Sequence, residues 1–237
     1  MTKRVISVFL CVLCVISSIS FIVSAKENKE YTSDNFLSVA DGIIAWKKAD
    51  NGSEPDGYLI NDKYLENAGT TPGDWYPIAL GRLGIQDNNE GYLAVIKDRV
   101  EERYRESGRL SAAKATEWHR IALAVLAMGG DPTNFGTDEN GAPINLIADG
   151  TYDRGKTTPL GRQGINGWIW GLITLDSMRY AVPDGAYNTR DDIIVEIISK
   201  QLSDGGFALS SDDADPDITA MAITALAPYY NSEKIYR

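Results

Sequence analysis

Cysteine is almost missing from this chain of 237 residues: Cys11 and Cys14 are the only two, and both lie in an apolar N-terminal run. Without that run, nothing remains to build a disulfide, a thiol nucleophile or a thiolate metal ligand. Histidine is scarcer still, with His119 alone. A zinc site of Asp, Cys and His cannot be assembled from this inventory, and no cofactor is expected. Positive charge is short as well: 23 Lys and Arg stand against 33 Asp and Glu, for a net charge of −10. Such a balance repels nucleic acid and anionic membrane surfaces, so nucleic-acid binding is excluded as a main role. No stretch alternates apolar and polar residues at the period of a strand.

One long hydrophobic run is present. Lys3 and Arg4 precede Val5 to Val23, which is interrupted only by serines, and Val23-Ser24-Ala25 supplies the small residues a signal peptidase reads. Residues 1–25 are expected to be a cleaved signal peptide, leaving no stable membrane span. Leu10 and Leu13, just before the cysteines, are too large for a lipidation box. Loss of Lys3 and Arg4 takes the remainder from −10 to −12. The expected product is secreted or held at the cell surface, and residues 26–237 are long enough for one sizeable core.

From Ser33 onward the chain reads as helices. Phe36, Leu37, Ala40, Ile43, Ile44 and Trp46 keep a spacing of three and four after Ser33 and Asp34. Helices are predicted over 74–83, 90–107, 111–128, 166–180, 189–202 and 217–227, with a short one near 144–147. Residues 51–73 and 131–165 are rich in Gly and Pro and read as long connections, the first as a loop over a site or a mobile one. In the last helix, Asp215-Pro216-Asp217 supplies capping carboxylates around an early proline, and Ala220, Ala222, Ala225 and Ala227 leave a smooth surface for a neighbour.

A repeat links these helices. Aligning Trp75, Trp118, Trp168 and Ile218 superposes DWYPIALGRLG, EWHRIALAVLA, GWIWGLITLDS and DITAMAITALA at offsets of 43, 50 and 50 residues. Asp74, Glu117 and Asp217 fall together just before the aligned position. A period of this size with two helices per unit is the mark of a helical repeat array. The expected fold is all-α, an α/α toroid of inner and outer helices. Four hairpins and the opening of a fifth from Ser232 are read along the chain.

Converging inner-helix N-termini would bring Asp74, Trp75, Tyr76, Glu117, Trp118, His119, Trp168 and Trp170 to one mouth. Aromatic platforms beside carboxylates suit a sugar or isoprenoid face, so these are the candidate ligand-binding residues. Against this stand core packing for the tryptophans and helix capping for the acids. Asp213-Ala-Asp215-Pro-Asp217 begins like an EF-hand, but Ile218 and Thr224 occupy positions that need Gly and Glu. A looser calcium site from Asp204, Asp212, Asp213 and Asp215 competes with a solvated acidic turn.

Gln201-Leu-Ser-Asp-Gly205-Gly-Phe207 resembles the Gln…Gly-x-Trp repeat of terpenoid cyclases and protein prenyltransferases, with Phe for Trp. Asp215-Pro-Asp217-Ile-Thr219-Ala220 resembles the Asp-x-Asp-Asp-Thr-Ala motif of squalene–hopene-type cyclases, with Ile218 in place of the third Asp. The resemblance implies an α/α barrel, which that family closes with more hairpins than the four read here and so implies an incomplete ring, and it implies Asp217 as general acid with Asp215 beside it. The nearer likeness is to secreted bacterial prenyltransferase/squalene-oxidase repeat proteins, which implies a ligand-binding module without turnover. Three functions therefore stand open: a non-catalytic module for a small molecule, glycan or protein; a cyclase-like enzyme; and a glycan-active α/α-barrel hydrolase or lyase.

Overall fold

The computed structural model describes residues 32–154 and 159–231. The expected signal peptide and the expected element from Ser232 lie outside the described residues. The chain divides into two compact units, Met1–Lys47 and Lys48–Arg237.

In the first unit the described residues belong to helix α1, Ser33–Asn51, whose last residues extend into the second. Phe36, Val39, Ile43 and Trp46 are all at least half exposed. The apolar spacing seen in the sequence thus does form a helix.

The second unit contains α2 (Asp62–Leu65), α3 (Thr71–Leu83), α4 (Asn89–Ser107), α5 (Thr116–Ala127), α6 (Leu146–Gly150), α7 (Ile165–Asp176), α8 (Arg190–Ile198) and α9 (Pro216–Leu226). Among the described residues there is no strand, only an isolated antiparallel bridge between Thr137 and Pro143. No described helix is long and apolar enough to cross a membrane. The fold is all-α.

Alternate helices stack in sequence order: α3 packs on α5, α5 on α7, and α7 on α9. Helices α6 and α8 lie against α5 and α7. Close approach is written into the glycines. A Cβ on Gly81 of α3 would come within 2.0 Å of the Ala127 carbonyl oxygen at the end of α5. One on Gly167 of α7 would come within 2.0 Å of the Leu160 carbonyl oxygen.

Burial shows which register the helices share. Trp118, Ala122 and Val125 in α5 are buried, as are Ile218, Ala222 and Ala225 in α9, each spaced four and three. In α7 the equivalents Leu172 and Leu175 are buried and Trp168 is half-buried. The first copy does not follow the alignment made on Trp75. Trp75, Ala79 and Arg82 are exposed, whereas Leu80 is buried and Tyr76 half-buried. The structural equivalents are Tyr76 with Trp118 and Leu80 with Ala122, an offset of 42. A one-residue shift rotates a helix by about 100°, so Trp75 lies off the core face and Asp74 is not the counterpart of Glu117.

The connection from residue 51 to 73 is neither bare nor loose. Leu59 and Ile60 are fully buried, and their N–H groups donate to the two Asp87 carboxylate oxygens at 2.9 Å each. Asn51 donates to the Leu59 carbonyl at 3.0 Å and to Asn61 at 2.8 Å. Asn61 in turn caps α2 by accepting from the Tyr64 N–H. The second connection holds α6, capped by Asn145 through the N–H groups of Ile147 and Ala148.

Candidate functional site

The first turns of α3 and α5 meet at one arginine. Arg120 donates from Nε to Asp74 Oδ2 at 2.8 Å, and from Nη1 and Nη2 to the Glu117 oxygens at 2.8 and 3.0 Å. It also reaches Thr71 Oγ1 at 3.3 Å and the Gly69 carbonyl at 3.2 Å. Asp74 is completely buried, and Oδ1 accepts from the Tyr92 hydroxyl and the Gly69 N–H at 2.7 Å each. Two of the candidate acids are therefore brought together, as ligands of a guanidinium and not around an open cavity.

Burial pushes the Asp74 carboxyl up from its ordinary value, and the donors on it offset part of that. For Glu117 burial acts the same way, but the hydrogen bonds and charge of Arg120, with Arg103 behind, hold the carboxyl below its usual range. Burial works against the Arg120 charge too, yet the two carboxylates outweigh it and raise its pKa. Neither acid is placed to exchange protons with a ligand: Asp74 has no exposed surface, and Glu117 is held in its charged form. The pattern Glu117-x-x-Arg120, three apart on a helix, was the sequence signal for this pair. Nothing local pointed to Asp74 or Tyr92 as its partners.

Trp118 and His119 are core residues, each 1 % exposed. The Trp118 indole N–H donates to the Tyr104 hydroxyl at 2.8 Å, Tyr104 donates to Asp149 at 2.6 Å, and the Arg154 guanidinium lies 3.9 Å above the Trp118 ring. His119 Nε2 lies 2.8 Å from the Gly150 carbonyl oxygen. That oxygen only accepts, so Nε2 carries the proton and Nδ1, buried without a partner, is bare. Burial drives the His119 pKa down to about 3, leaving the ring neutral.

Tyr76 packs edge-on against Tyr64, with ring centroids 6.5 Å apart. Trp168 lies against Gly161, where a Cβ would come within 2.5 Å of its indole nitrogen. Trp75 and Trp170 behave differently. They come from α3 and α7, 95 residues apart in the chain, and their rings meet at 5.6 Å with a tilt of 56°. Trp75 is 43 % exposed. At the next helix start, the Thr116 hydroxyl donates to Gln163 Oε1 at 3.0 Å. Helices α3 and α7 thus hold an aromatic pair in which Trp75 is exposed and Trp170 half-buried.

The cyclase-like motif forms a closed hairpin. Thr219 Oγ1 accepts from the Phe207 N–H at 2.9 Å and donates to its carbonyl at 3.2 Å, while the Asp215 N–H donates to the same carbonyl at 2.9 Å. Phe207 is buried, and Gln201 donates to the Gly205 carbonyl at 2.8 Å. Asp215 is the N-cap of α9, accepting from the Asp217 and Ile218 N–H groups at 2.8 and 3.0 Å. Asp217 is exposed on the first turn, at the positive end of the helix. Among the described residues no group of three or more His, Cys, Asp and Glu is arranged to hold a metal ion, Asp204, Asp212, Asp213 and Asp215 included. No family model, curated protein or solved structure matches the chain.

Proposed function

We propose that this protein is a secreted, non-catalytic module of the prenyltransferase/squalene-oxidase-repeat type, an α/α toroid that binds a glycan or similar small ligand at its inner-helix mouth. The observation that carries this reading is the Trp75–Trp170 pair. Two large rings from distant inner helices meet with one of them 43 % exposed, and tilted aromatic faces suit the C–H faces of a sugar ring or an isoprenoid. The ordered stacking of α3, α5, α7 and α9 supports the toroid arrangement.

The cyclase reading has less support. A cyclising acid must be a protonated carboxyl in a dry, polarised pocket, whereas Asp217 is solvent-exposed and Asp215 is engaged as a cap. The carboxylates that a glycan hydrolase would use, Asp74 and Glu117, are both committed to Arg120.

Titration with a panel of soluble oligosaccharides and with isoprenoid alcohols in detergent, followed by tryptophan fluorescence, tests the proposal. Binding should quench or shift the emission, and Trp75→Ala should weaken it at least about tenfold while leaving the fold intact. Binding that is indifferent to both Trp75→Ala and Trp170→Ala would remove the mouth as the site. Formation of a cyclic product from squalene, lost in Asp217→Asn, would replace the reading with the enzyme.

A further inference from the structure

His119, the only histidine of the chain, is wedged between two glycines. A Cβ on Gly150 of α6 would come within 3.4 Å of its Cδ2, and one on Gly171 of α7 within 3.6 Å of its Cε1. Its Nε2–H donates to the Gly150 carbonyl at 2.8 Å, and Nδ1 is buried without a partner. A proton taken up at Nδ1 would create a buried N–H with no acceptor and a buried charge, and each disfavours the closed arrangement.

The surroundings offer that charge no compensation. Helix α7 carries no ionisable side chain before Asp176, which is paired with Arg190. On α5, Glu117 and Arg120 bind each other, and Asp74 of α3 binds Arg120. The segment 146–154, α6 and the turn after it, carries Asp149, Asp153 and Arg154. Asp149 accepts from the Tyr104 hydroxyl. Of these three only Arg154 acts on the ring, and it opposes protonation. How each neighbour is held decides which one gives way. Helix α7 is packed by α5, α8 and α9. Helix α6 has five residues, and its segment is tied by the Leu146 N–H to the Pro132 carbonyl and by Asn188 to the Thr151 and Tyr152 carbonyls. Gly150, which closes over the ring, and Arg154, which repels its charge, both belong to this segment. Moving it relieves both penalties at once, whereas moving α7 would leave Arg154 in place.

We propose that the segment 146–154 is an acid-released latch: a proton on His119 frees it while α3, α5, α7 and α9 stay folded, and its release uncovers Trp118 and His119 on α5. At neutral pH the ring is neutral and the latch closed. Below about pH 6.5 the open form binds a proton that the closed form excludes until about pH 3. Between pH 7.5 and 4.5 the ratio of open to closed therefore rises about a hundredfold.

Hydrogen exchange of the full chain at pH 7.5 and 4.5, corrected for the intrinsic pH dependence of exchange, tests this. Amides of 146–154 should lose about a hundredfold in protection, with little dependence on sub-denaturing urea, as local opening requires. Amides of α7 should stay more strongly protected and respond to urea. His119→Gln keeps a donor for the Gly150 carbonyl but takes up no proton, so protection of 146–154 should then be the same at both pH values. Asp149→Asn removes the other titrating tie of the segment and should leave the hundredfold loss in place. The single histidine also gives an unambiguous NMR titration in the unaltered chain, with a midpoint expected well below 6.5. A normal midpoint, protection that ignores pH, or a loss that follows urea in step with α7 would overturn the proposal. So would a pH dependence that survives in His119→Gln or vanishes in Asp149→Asn.

Discussion

His119 ties stability to pH through a single buried ring. Its folded pKa is pulled down to about 3, from an ordinary value near 6.5, mainly by burial. Between those values the unfolded chain binds a proton that the folded chain does not. Stability is therefore complete above about pH 6.5 and declines as pH falls, by about 1.4 kcal/mol per unit at most, until about pH 3. Urea unfolding from pH 7.5 to 4.5 should show His119→Gln with a shallower loss than the parent, although less stable at neutral pH. Parallel slopes would mean that the ring titrates normally. The two carboxylates of the cyclase-like motif are separable in the same assay. Asp215→Ala, which removes two hydrogen bonds to backbone N–H groups, should cost about 1 kcal/mol. Asp217→Ala should cost no more than about 0.5 kcal/mol. The sequence showed that an acid caps this helix; only the geometry assigns the role to Asp215.

Between helices, a buried ion pair joins α3 to α5. Asp74 has no exposed surface and Arg120 almost none. Removing one partner leaves the other charged and buried, and Asp74→Ala should destabilise by about 3–5 kcal/mol. Replacing both, Asp74→Leu with Arg120→Met, should recover much of that loss in a double-mutant cycle. If the single and double replacements cost the same, the network is not what holds these helices. Gly81 makes the matching steric prediction. Its missing Cβ is what lets the Ala127 carbonyl approach, so Gly81→Ala should cost about 1–3 kcal/mol despite the better helix propensity of alanine.

For the chain as a whole, export and cleavage remain an expectation carried by Lys3, Arg4, the apolar run and Val23-Ser24-Ala25. N-terminal sequencing of secreted material should begin at Lys26, and a product that retains residues 5–23 would refute it. The ordered stacking of four helices has a folding consequence. In an array each unit leans on its neighbours. Hydrogen exchange should therefore be slowest in α5 and α7, which are covered on both flanks, and faster in α9, where Ile223 is exposed.

The helical class, most helix positions and the capped entry to α9 were legible along the chain, because they rest on interactions three or four residues apart. Spacing of apolar side chains, an acid before a proline and a stripe of alanines are all local facts. The register of the first repeat was not legible. Trp75 matched Trp118 by residue type, but burial pairs Tyr76 with Trp118 and turns Trp75 outward. Short α2 escaped for a related reason: four residues are too few to show a period, and it is held by the Asn61 cap, by the Tyr64 hydroxyl donating to the Gly73 carbonyl and by Arg99 donating to the Leu65 and Glu66 carbonyls. The site depended on contacts far apart in sequence. Arg120 chooses Asp74 from 46 residues away, and Trp75 meets Trp170 across 95. Residue type and local spacing cannot specify such pairs, which arise from how α3, α5 and α7 stack, with Gly81 letting the end of α5 come close to α3.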